Sequence, residues 1–220
     1  MVIAIDGPGG VGKSTVTRRL ATLLGVDFLD TGATYRAATV AALRSGVDLG
    51  DEDAVLGAVV ASEIAYVDGT ILLDGTSVAD ATRSDAVTKN VSAVSAYPRV
   101  RHHVVEMQRR WVAHHGGDAV VEGRDIGTVV FPDAPVKIFL TADAEVRAAR
   151  RAGDAEAADQ AVADIVADLN RRDHADSTRK TSPLRPAADA VEVDTSALDI
   201  EEVVMAILDV VAERTDEGVL

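Results

Sequence analysis

The chain has 220 residues, a length that suits one sizeable α/β domain or two small ones. Its 22 basic and 36 acidic side chains give a net charge of −14, which argues against a nucleic-acid partner, because such proteins need basic surface to replace counterions. Cysteine is absent and no apolar run approaches the roughly 18 residues of a membrane span, so we expect a cytoplasmic protein without disulfides, thiolate metal sites or a membrane partner.

Hydrophobic patterning predicts strands that alternate with helices along the chain. The predicted elements, in order, are strand 2–5, helix 14–24, strand 27–30, helix 31–43, helix 51–60, helices 84–94 and 98–115, strands 119–121 and 136–140, helices 143–152 and 155–172, strand 190–193 and helix 199–214. Residues 62–80 interrupt this alternation as a β-hairpin, and residues 173–186, which contain two prolines, are predicted to form a mobile loop. The alternation predicts an α/β fold with a parallel five-stranded sheet and helices on both faces.

The segment that follows the first strand matches the phosphate-binding motif G-x-x-x-x-G-K-[ST]. Its glycines allow the backbone to wrap an anion, and the helix behind it presents its N-terminus to the same anion. The residues predicted to bind ATP here are Gly7, Pro8, Gly9, Gly10, Val11, Gly12, Lys13, Ser14 and Thr15. Lys13 is expected to neutralise the β- and γ-phosphates, and the Ser14 hydroxyl is the predicted ligand of Mg²⁺. A glycine-rich turn with a chance Lys-Ser pair is the alternative, and the strand before and the helix after disfavour it.

The motif alone does not say what is done with the nucleotide. The chain lacks the N-K-x-D sequence of a GTPase, and its third strand ends in Glu122-Gly123 rather than the Asp-Glu of many motor ATPases. A small kinase requires instead a second phosphate site with several arginines. Thr31, Tyr35 and Arg36 follow the second strand, although a helix cap at Thr31 with a solvated Arg36 would explain that segment too.

Two further arginine segments raise the same question. Arg99 and Arg101 lie at the start of a helix, where their charge opposes the helix dipole, so a nearby anion or base would explain them better than stability does. Arg124 and Asp125 follow the third strand, at the edge where α/β sheets bind ligands, although a plain salt bridge between them is the simpler interpretation.

Four segments together resemble the bacterial cytidylate kinase family, and the resemblance covers nearly the whole chain. They are Asp30–Arg36, Pro98–Arg101, Glu122–Asp133 and Arg172–Arg179. The resemblance implies a P-loop nucleoside monophosphate kinase that transfers phosphate from ATP to CMP or dCMP with Mg²⁺, and it implies a monomer. It also implies a core domain (residues 1–30, 117–150 and 185–220), a monophosphate-binding region (31–116, with a β insert at about 62–83) and a short lid (151–184).

The resemblance also assigns roles to individual residues. It places the CMP phosphate against Arg36 and Arg124 with Tyr35 close by, cytosine against Ser92, Arg101 and Asp125, and the ribose near Thr31, Arg172, Asp176 and Arg179. Gly123 and the insert residue Arg83 complete the substrate-binding set. The base contacts are chemically sensible, because a carboxylate accepts from the cytosine N4 amino group and a guanidinium donates to N3 and O2. Uracil reverses these groups, so UMP should be a poor substrate.

Charge neutralisation is the expected mechanism, because the CMP phosphate has a second pKa of about 6 and needs no general base at pH 7. The predicted catalytic residues are Lys13, Arg124, Arg147, Arg151 and Arg172, with Arg150 binding ATP. A solvated basic helix face is the alternative for part of the set at Arg147, Arg150 and Arg151. Glu122 and Thr31 depart from the Asp and Ser of some family members. Another small-acceptor kinase, of the shikimate or coenzyme-A-precursor type, and a regulatory NTPase without transfer remain alternatives.

Overall fold

The computed structural model describes residues 1–153 and 162–216, so residues 155–161 of one predicted helix lie outside the described residues. The strands are β1 (Val2–Asp6), β2 (Asp27–Asp30), β3 (Ile64–Val67), β4 (Thr70–Leu73), β5 (Thr76–Ser77), β6 (Ala119–Gly123), β7 (Val136–Thr141) and β8 (Val191–Asp194). The α-helices are α1 (Lys13–Leu24), α2 (Thr31–Arg44), α3 (Glu52–Val60), α4 (Asp85–Ala96), α5 (Pro98–His114), α6 (Ala144–Ala152), α7 (Val162–Thr178) and α8 (Ile200–Asp216).

The chain divides into two compact units. The first unit contains residues 1–28 and 115–220, and the second contains residues 29–114. Within the part of the chain that the structure describes, no helix is long and apolar enough to cross a membrane.

A five-stranded sheet with the strand order β2-β6-β1-β7-β8 organises the first unit. Strand β1 pairs in parallel with β6 and β7, and the register sets Asp6 beside both Gly123 and Phe139. The carboxyl ends of β6, β1 and β7 therefore lie side by side, and the loops that follow these strands leave from the same end of the sheet. The predicted α/β class with a parallel five-stranded sheet is confirmed.

The core of the first unit lies between this sheet and the helices α1 and α8. It contains Ile3, Ile5, Leu20, Ile138, Leu140 and Ile207, each at most 1% exposed. Burying one such side chain contributes about 1.5–3 kcal/mol, so the core holds the strand ends firmly. A separate apolar cluster, made by α2, α3, α4 and α5, forms the core of the second unit.

The predicted hairpin of the second unit is a three-stranded antiparallel sheet, in the order β3-β4-β5. Asp-Gly pairs with positive φ angles make both turns, at Asp68-Gly69 and Asp74-Gly75. This is the turn geometry that matches the twist of paired strands. The second Asp-Gly pair is the sequence signal for β5, and the hairpin prediction did not use it.

The prediction of a mobile loop at 173–186 was wrong for its first six residues, because α7 continues to Thr178. The hydroxyls of Ser177 and Thr178 donate to carbonyls one turn earlier, and Asp173 and Asp176 pair with arginines. These contacts replace the hydrophobic drive that the segment lacks. A π-helical turn at Ile126–Val130 was also not predicted.

Candidate active site: a phosphate loop and two sets of charged side chains

The loop between β1 and α1 has the geometry of a phosphate-binding loop. A Cβ atom at Gly7 would lie 2.4 Å from the Leu140 carbonyl oxygen, and one at Gly10, where φ is +79°, would lie 2.9 Å from that of Arg147. Any side chain would therefore displace the loop at these positions. The Lys13 ammonium donates to the Gly7 carbonyl at 2.9 Å and to the Pro8 carbonyl at 2.7 Å, so it lies across the loop.

The N-terminus of α1 faces the same region as the loop. Gly12 caps the helix at φ +90° without a side-chain hydrogen bond, and the first turn holds no acidic residue. Ser14 and Thr15 are exposed in that turn. Free helix N–H groups and the helix dipole favour an anion there, and the serine hydroxyl is an oxygen ligand of the kind that Mg²⁺ accepts.

Two predicted arginines of α6 donate to carbonyl groups of the phosphate loop, Arg147 to that of Gly9 and Arg150 to that of Val11, the latter at 3.5 Å. Arg147 is 8% exposed, and its guanidinium donates to the Gly9 carbonyl at 3.2 Å and pairs with the Asp173 carboxylate. Arg150 donates to the Thr195 hydroxyl at 2.9 Å and to the Thr195 carbonyl at 2.7 Å. The alternative of a solvated basic face is therefore wrong for both.

The ends of β6 and α7 form a cluster of alternating charges, which we call the Arg124 cluster: Arg124, Asp125, Asp176 and Arg179. Arg124 pairs with Asp176 at 3.1 Å, and Arg179 lies 3.6 Å from Asp125 and 3.8 Å from Asp176. Arg124 and Asp125 each have a charged partner on α7 or just beyond it, so their pairing extends to this segment rather than joining these two neighbours alone. The cluster borders the phosphate loop, because a Cβ at Gly9 would lie 3.8 Å from Arg124 Nη2.

Asp6 is a buried carboxylate at the end of β1 that the sequence analysis did not assign. It is 3% exposed and accepts the backbone N–H groups of Ile126 and Gly127, each at 2.8 Å. Burial raises the pKa of Asp6 from 3.8 to about 6, against the lowering effect of these two hydrogen bonds. The contact fixes the turn that follows Arg124 and Asp125 to the strand that carries the phosphate loop. A carboxylate directly after an apolar strand was the available signal.

In the second unit, the predicted residues Thr31 and Arg36 lie at the start of α2. Asp30 accepts from the Ala33 N–H at 3.0 Å and is the N-cap, so the alternative of Thr31 as the cap is wrong. Thr31 is buried in the first turn. Arg36 is half-buried and its guanidinium donates to the Thr82 carbonyl at 3.4 Å, so it is not a solvated side chain.

Arg101 lies inside the second unit. It is 3% exposed, its guanidinium lies 5.0 Å from the centre of the Tyr35 ring, and it donates to the Ser95 carbonyl at 3.0 Å. Arg99 differs, since it is an exposed residue whose guanidinium pairs with Asp53 on the surface. The anion near Arg99 is therefore a carboxylate of the protein itself, and no bound ligand is needed to explain this arginine.

Gln108 is a second buried polar residue of α5, and the sequence analysis missed it. It is 1% exposed, and its side-chain amide donates to the Thr34 hydroxyl at 2.8 Å. It follows Arg101 by seven residues, so both lie on the same face of the helix. This spacing was the signal that could have identified it.

The remaining predicted site residues lie on several elements. Gly123 is buried at the end of β6, and Arg151 and Arg172 are half-buried on α6 and α7. Ser92 is half-buried on α4, and Arg83 is exposed just before α4.

The sequence profile of cytidylate kinase matches residues 3–213. The chain belongs to the cytidylate kinase family. This confirms the resemblance identified from the four segments, and it makes the chain an enzyme of the kinase class.

Curated members of the cytidylate kinase family are similar to the chain over nearly their full length. Those of Rhodococcus opacus (strain B4) and Rhodococcus jostii (strain RHA1) are each 54% identical over 226 residues, which cover 99% of this chain and 97% of each relative. That of Streptomyces avermitilis is 48% identical over 220 residues, which cover 97% of this chain and 94% of the relative.

Solved structures with the same fold include more distant kinases. A gluconokinase from Sinorhizobium meliloti has a TM-score of 0.52 at 16% identity, covering 98% of this chain and 94% of that one. A sugar kinase from Janibacter sp. HTCC2649 has a TM-score of 0.51 at 12% identity, covering 96% and 94%. At this identity the likeness concerns the fold alone.

Proposed function

We propose that this cytidylate kinase family member transfers the γ-phosphoryl group of ATP to CMP or dCMP, and that ADP and CDP or dCDP are the products. The phosphate loop supports the phosphoryl-transfer half of the proposal, because Lys13 and the start of α1, which has no side-chain cap, together suit a nucleotide polyphosphate. The acceptor half rests on the family, whose profile matches residues 3–213.

Within the first unit, we assign the donor nucleotide to the phosphate loop and to arginines of α6. Lys13, Arg147 and Arg151 would neutralise the charge that develops on the transferring group, and Arg150 would bind ATP. The contacts of Arg147 with Gly9 support this assignment, because they hold a guanidinium directly beside the loop. The Ser14 hydroxyl would hold Mg²⁺, and the metal would supply further charge neutralisation on the phosphate oxygens.

The Arg124 cluster and its neighbours in the first unit are assigned to CMP. Arg124 would bind the phosphate, Asp125 would accept from the cytosine amino group, and Arg172, Asp176 and Arg179 would bind the ribose. The pairing within the Arg124 cluster supports the roles of its four members, because paired side chains are already oriented before substrate arrives.

Within the second unit, we assign Arg36 and Tyr35 to the CMP phosphate and Arg101 to the cytosine ring. Arg101 is supported by its burial against Tyr35, which holds the planar guanidinium in one orientation. Ser92, Thr31 and Arg83 complete this part of the assignment. The division of the chain into a core, a monophosphate-binding region and a lid also stays a proposal.

No general base is required in this mechanism. The CMP phosphate is mostly a dianion at pH 7, because its second pKa is about 6. The protein therefore orients the two substrates and supplies positive charge, and it does not need to transfer a proton.

A monomeric state and a cytoplasmic location are further predictions, and light scattering after gel filtration tests the monomeric state.

A panel of acceptors in one coupled assay tests the proposal. Purified protein is supplied with ATP, Mg²⁺ and, in turn, CMP, dCMP, UMP, AMP or shikimate, and ADP release is followed. We expect rapid turnover with CMP and dCMP and much slower turnover with UMP. Turnover on shikimate with none on CMP would establish another small-acceptor kinase, and slow ADP release that no acceptor stimulates would establish a non-transferring NTPase.

A further inference from the structure

A carboxylate with no assigned role lies against the phosphate loop. Asp173, on α7, accepts the Gly9 backbone N–H through Oδ1 at 3.2 Å, and its Oδ2 pairs with Arg147 Nη1. The same Arg147 nitrogen donates to the Gly9 carbonyl at 3.2 Å. One charge pair therefore holds Gly9 at both its N–H and its carbonyl group.

Helices α6 and α7, which carry Arg147 and Asp173, both pack against the phosphate loop. A Cβ at Gly9 would lie 3.1 Å from Leu169 Cδ2, so α7 packs directly on the loop, and a Cβ at Gly10 would lie 2.9 Å from the Arg147 carbonyl oxygen on α6. The side chains of Arg147 and Asp173 are 9% and 19% exposed. A charge pair shielded from water to this degree holds its geometry better than an exposed pair does.

We propose that Asp173 is a positioning residue for phosphoryl transfer, whose carboxylate orients the Arg147 guanidinium and fixes Gly9 of the phosphate loop. This inference rests on the proposed function, because there Arg147 is assigned to the ATP phosphates. Asp173 itself is negative and acts without touching the nucleotide. Two glycines in sequence leave the loop many backbone conformations, and the bonds from Asp173 and Arg147 select one of them.

The charge of Asp173 gives the inference a distinctive kinetic signature. A carboxylate beside a site for a polyanion weakens the binding of ATP in the ground state, so its removal leaves the KM for ATP unchanged or lower. Its removal also frees Arg147 from its orientation, and a misplacement of about 1 Å can slow a reaction about 10²-fold. We therefore expect the removal of the Asp173 carboxylate to lower kcat without raising the KM for ATP.

The experiment compares Asp173→Asn with Asp168→Asn. Asp168 lies on the same helix and pairs with Arg171 at 2.8 Å, but both side chains are exposed, at 44% and 67%. With ATP varied at saturating CMP, we expect Asp173→Asn to lower kcat by about 10–10²-fold without raising the KM for ATP. Asp168→Asn should stay within about twofold of the wild type, since exposed pairs contribute little. A kcat for Asp173→Asn equal to that of Asp168→Asn, or a raised KM for ATP at unchanged kcat, would overturn the inference.

A double variant separates positioning from a general loss of folding. If Asp173 acts through Arg147, the kcat loss of the Arg147→Ala/Asp173→Asn enzyme should be smaller than the product of the two single-variant losses, because without Arg147 only the Gly9 contact of Asp173 remains to be lost. Multiplied losses would show that Asp173 acts independently of Arg147 and would overturn the inference. A wild-type enzyme that forms no CDP from CMP would instead contradict the proposed function, so the two failures are distinguishable.

Discussion

Replacing Arg101 with Met tests the proposed recognition of cytosine. The guanidinium is held 5.0 Å from the centre of the Tyr35 ring and donates to the Ser95 carbonyl, and the residue is 3% exposed. A methionine side chain fills similar space without charge or hydrogen-bond donors. The variant therefore removes the donors proposed for cytosine N3 and O2 and keeps most of the packing around Tyr35.

The expected loss can be estimated from the strength of one such contact. A hydrogen bond that involves a charged group contributes about 1.5–3 kcal/mol, and each 1.4 kcal/mol changes a ratio tenfold. The ratio of kcat/KM for CMP to that for UMP should therefore fall by about 10–150-fold. Both nucleotides are assayed with the same protein, so any loss of folded enzyme cancels from this ratio.

Arg99→Met is the matched control for this measurement. Arg99 lies two residues earlier on the same helix, is exposed and pairs with Asp53, so its replacement should leave the ratio unchanged. An equal loss on CMP and UMP in Arg101→Met, together with a raised KM for ATP, would remove Arg101 from base recognition.

Three further changes test other parts of the account. Lys13→Ala should lower kcat by about 10²–10³-fold while the circular dichroism spectrum persists, and near-normal turnover would refute Lys13 as a clamp on the transition state. Burial raises the pKa of Asp6 from 3.8 to about 6, so its stabilising contribution is complete well below pH 3.8 and is lost as the pH rises through about 6. At about 1.36 kcal/mol per pH unit, the unfolding free energy of the wild type relative to Asp6→Asn should fall by about 3 kcal/mol from about pH 3 to about pH 7, and a pH-independent difference in urea unfolding would contradict this. Gly10→Ala should weaken ATP binding in calorimetric titrations, because its Cβ would lie 2.9 Å from the Arg147 carbonyl oxygen. Gly57→Ala, within α3 with nothing within 4 Å of the new Cβ, should instead bind ATP normally and gain about 0.5–1 kcal/mol of stability.

Local sequence signals were sufficient for most of the fold. The strand at 2–5 and the helix at 14–24 follow from β-branched runs and helical spacing, which depend on neighbouring residues alone. The same signals failed at 173–178, where the helix continues because Asp173 and Asp176 find arginine partners far away in the sequence. Charge pairing across the fold thus outweighed the weak hydrophobic pattern of that segment.

The candidate site divides in the same way. The phosphate loop was predictable because its chemistry lies within eight consecutive residues, Gly7 to Ser14. The role of Asp6 was not, because its partners Ile126 and Gly127 lie 120 and 121 residues along the chain. The role of Asp173 was not predictable for a similar reason, since its contacts are with Gly9 and Arg147. The partners of Asp6 and Asp173 are distant in sequence, so only the tertiary structure identifies them.

Phosphorus NMR on a mixture of ATP, CMP, Mg²⁺ and the wild-type protein tests the central claim most directly, because it separates the signals of nucleoside mono-, di- and triphosphates from that of inorganic phosphate. Transfer predicts that the CMP and ATP signals fall in equal amounts while two diphosphates form for each CMP consumed, with no inorganic phosphate beyond that of a protein-free control. Growth of ADP and inorganic phosphate without CDP would show hydrolysis in place of transfer and would contradict the account.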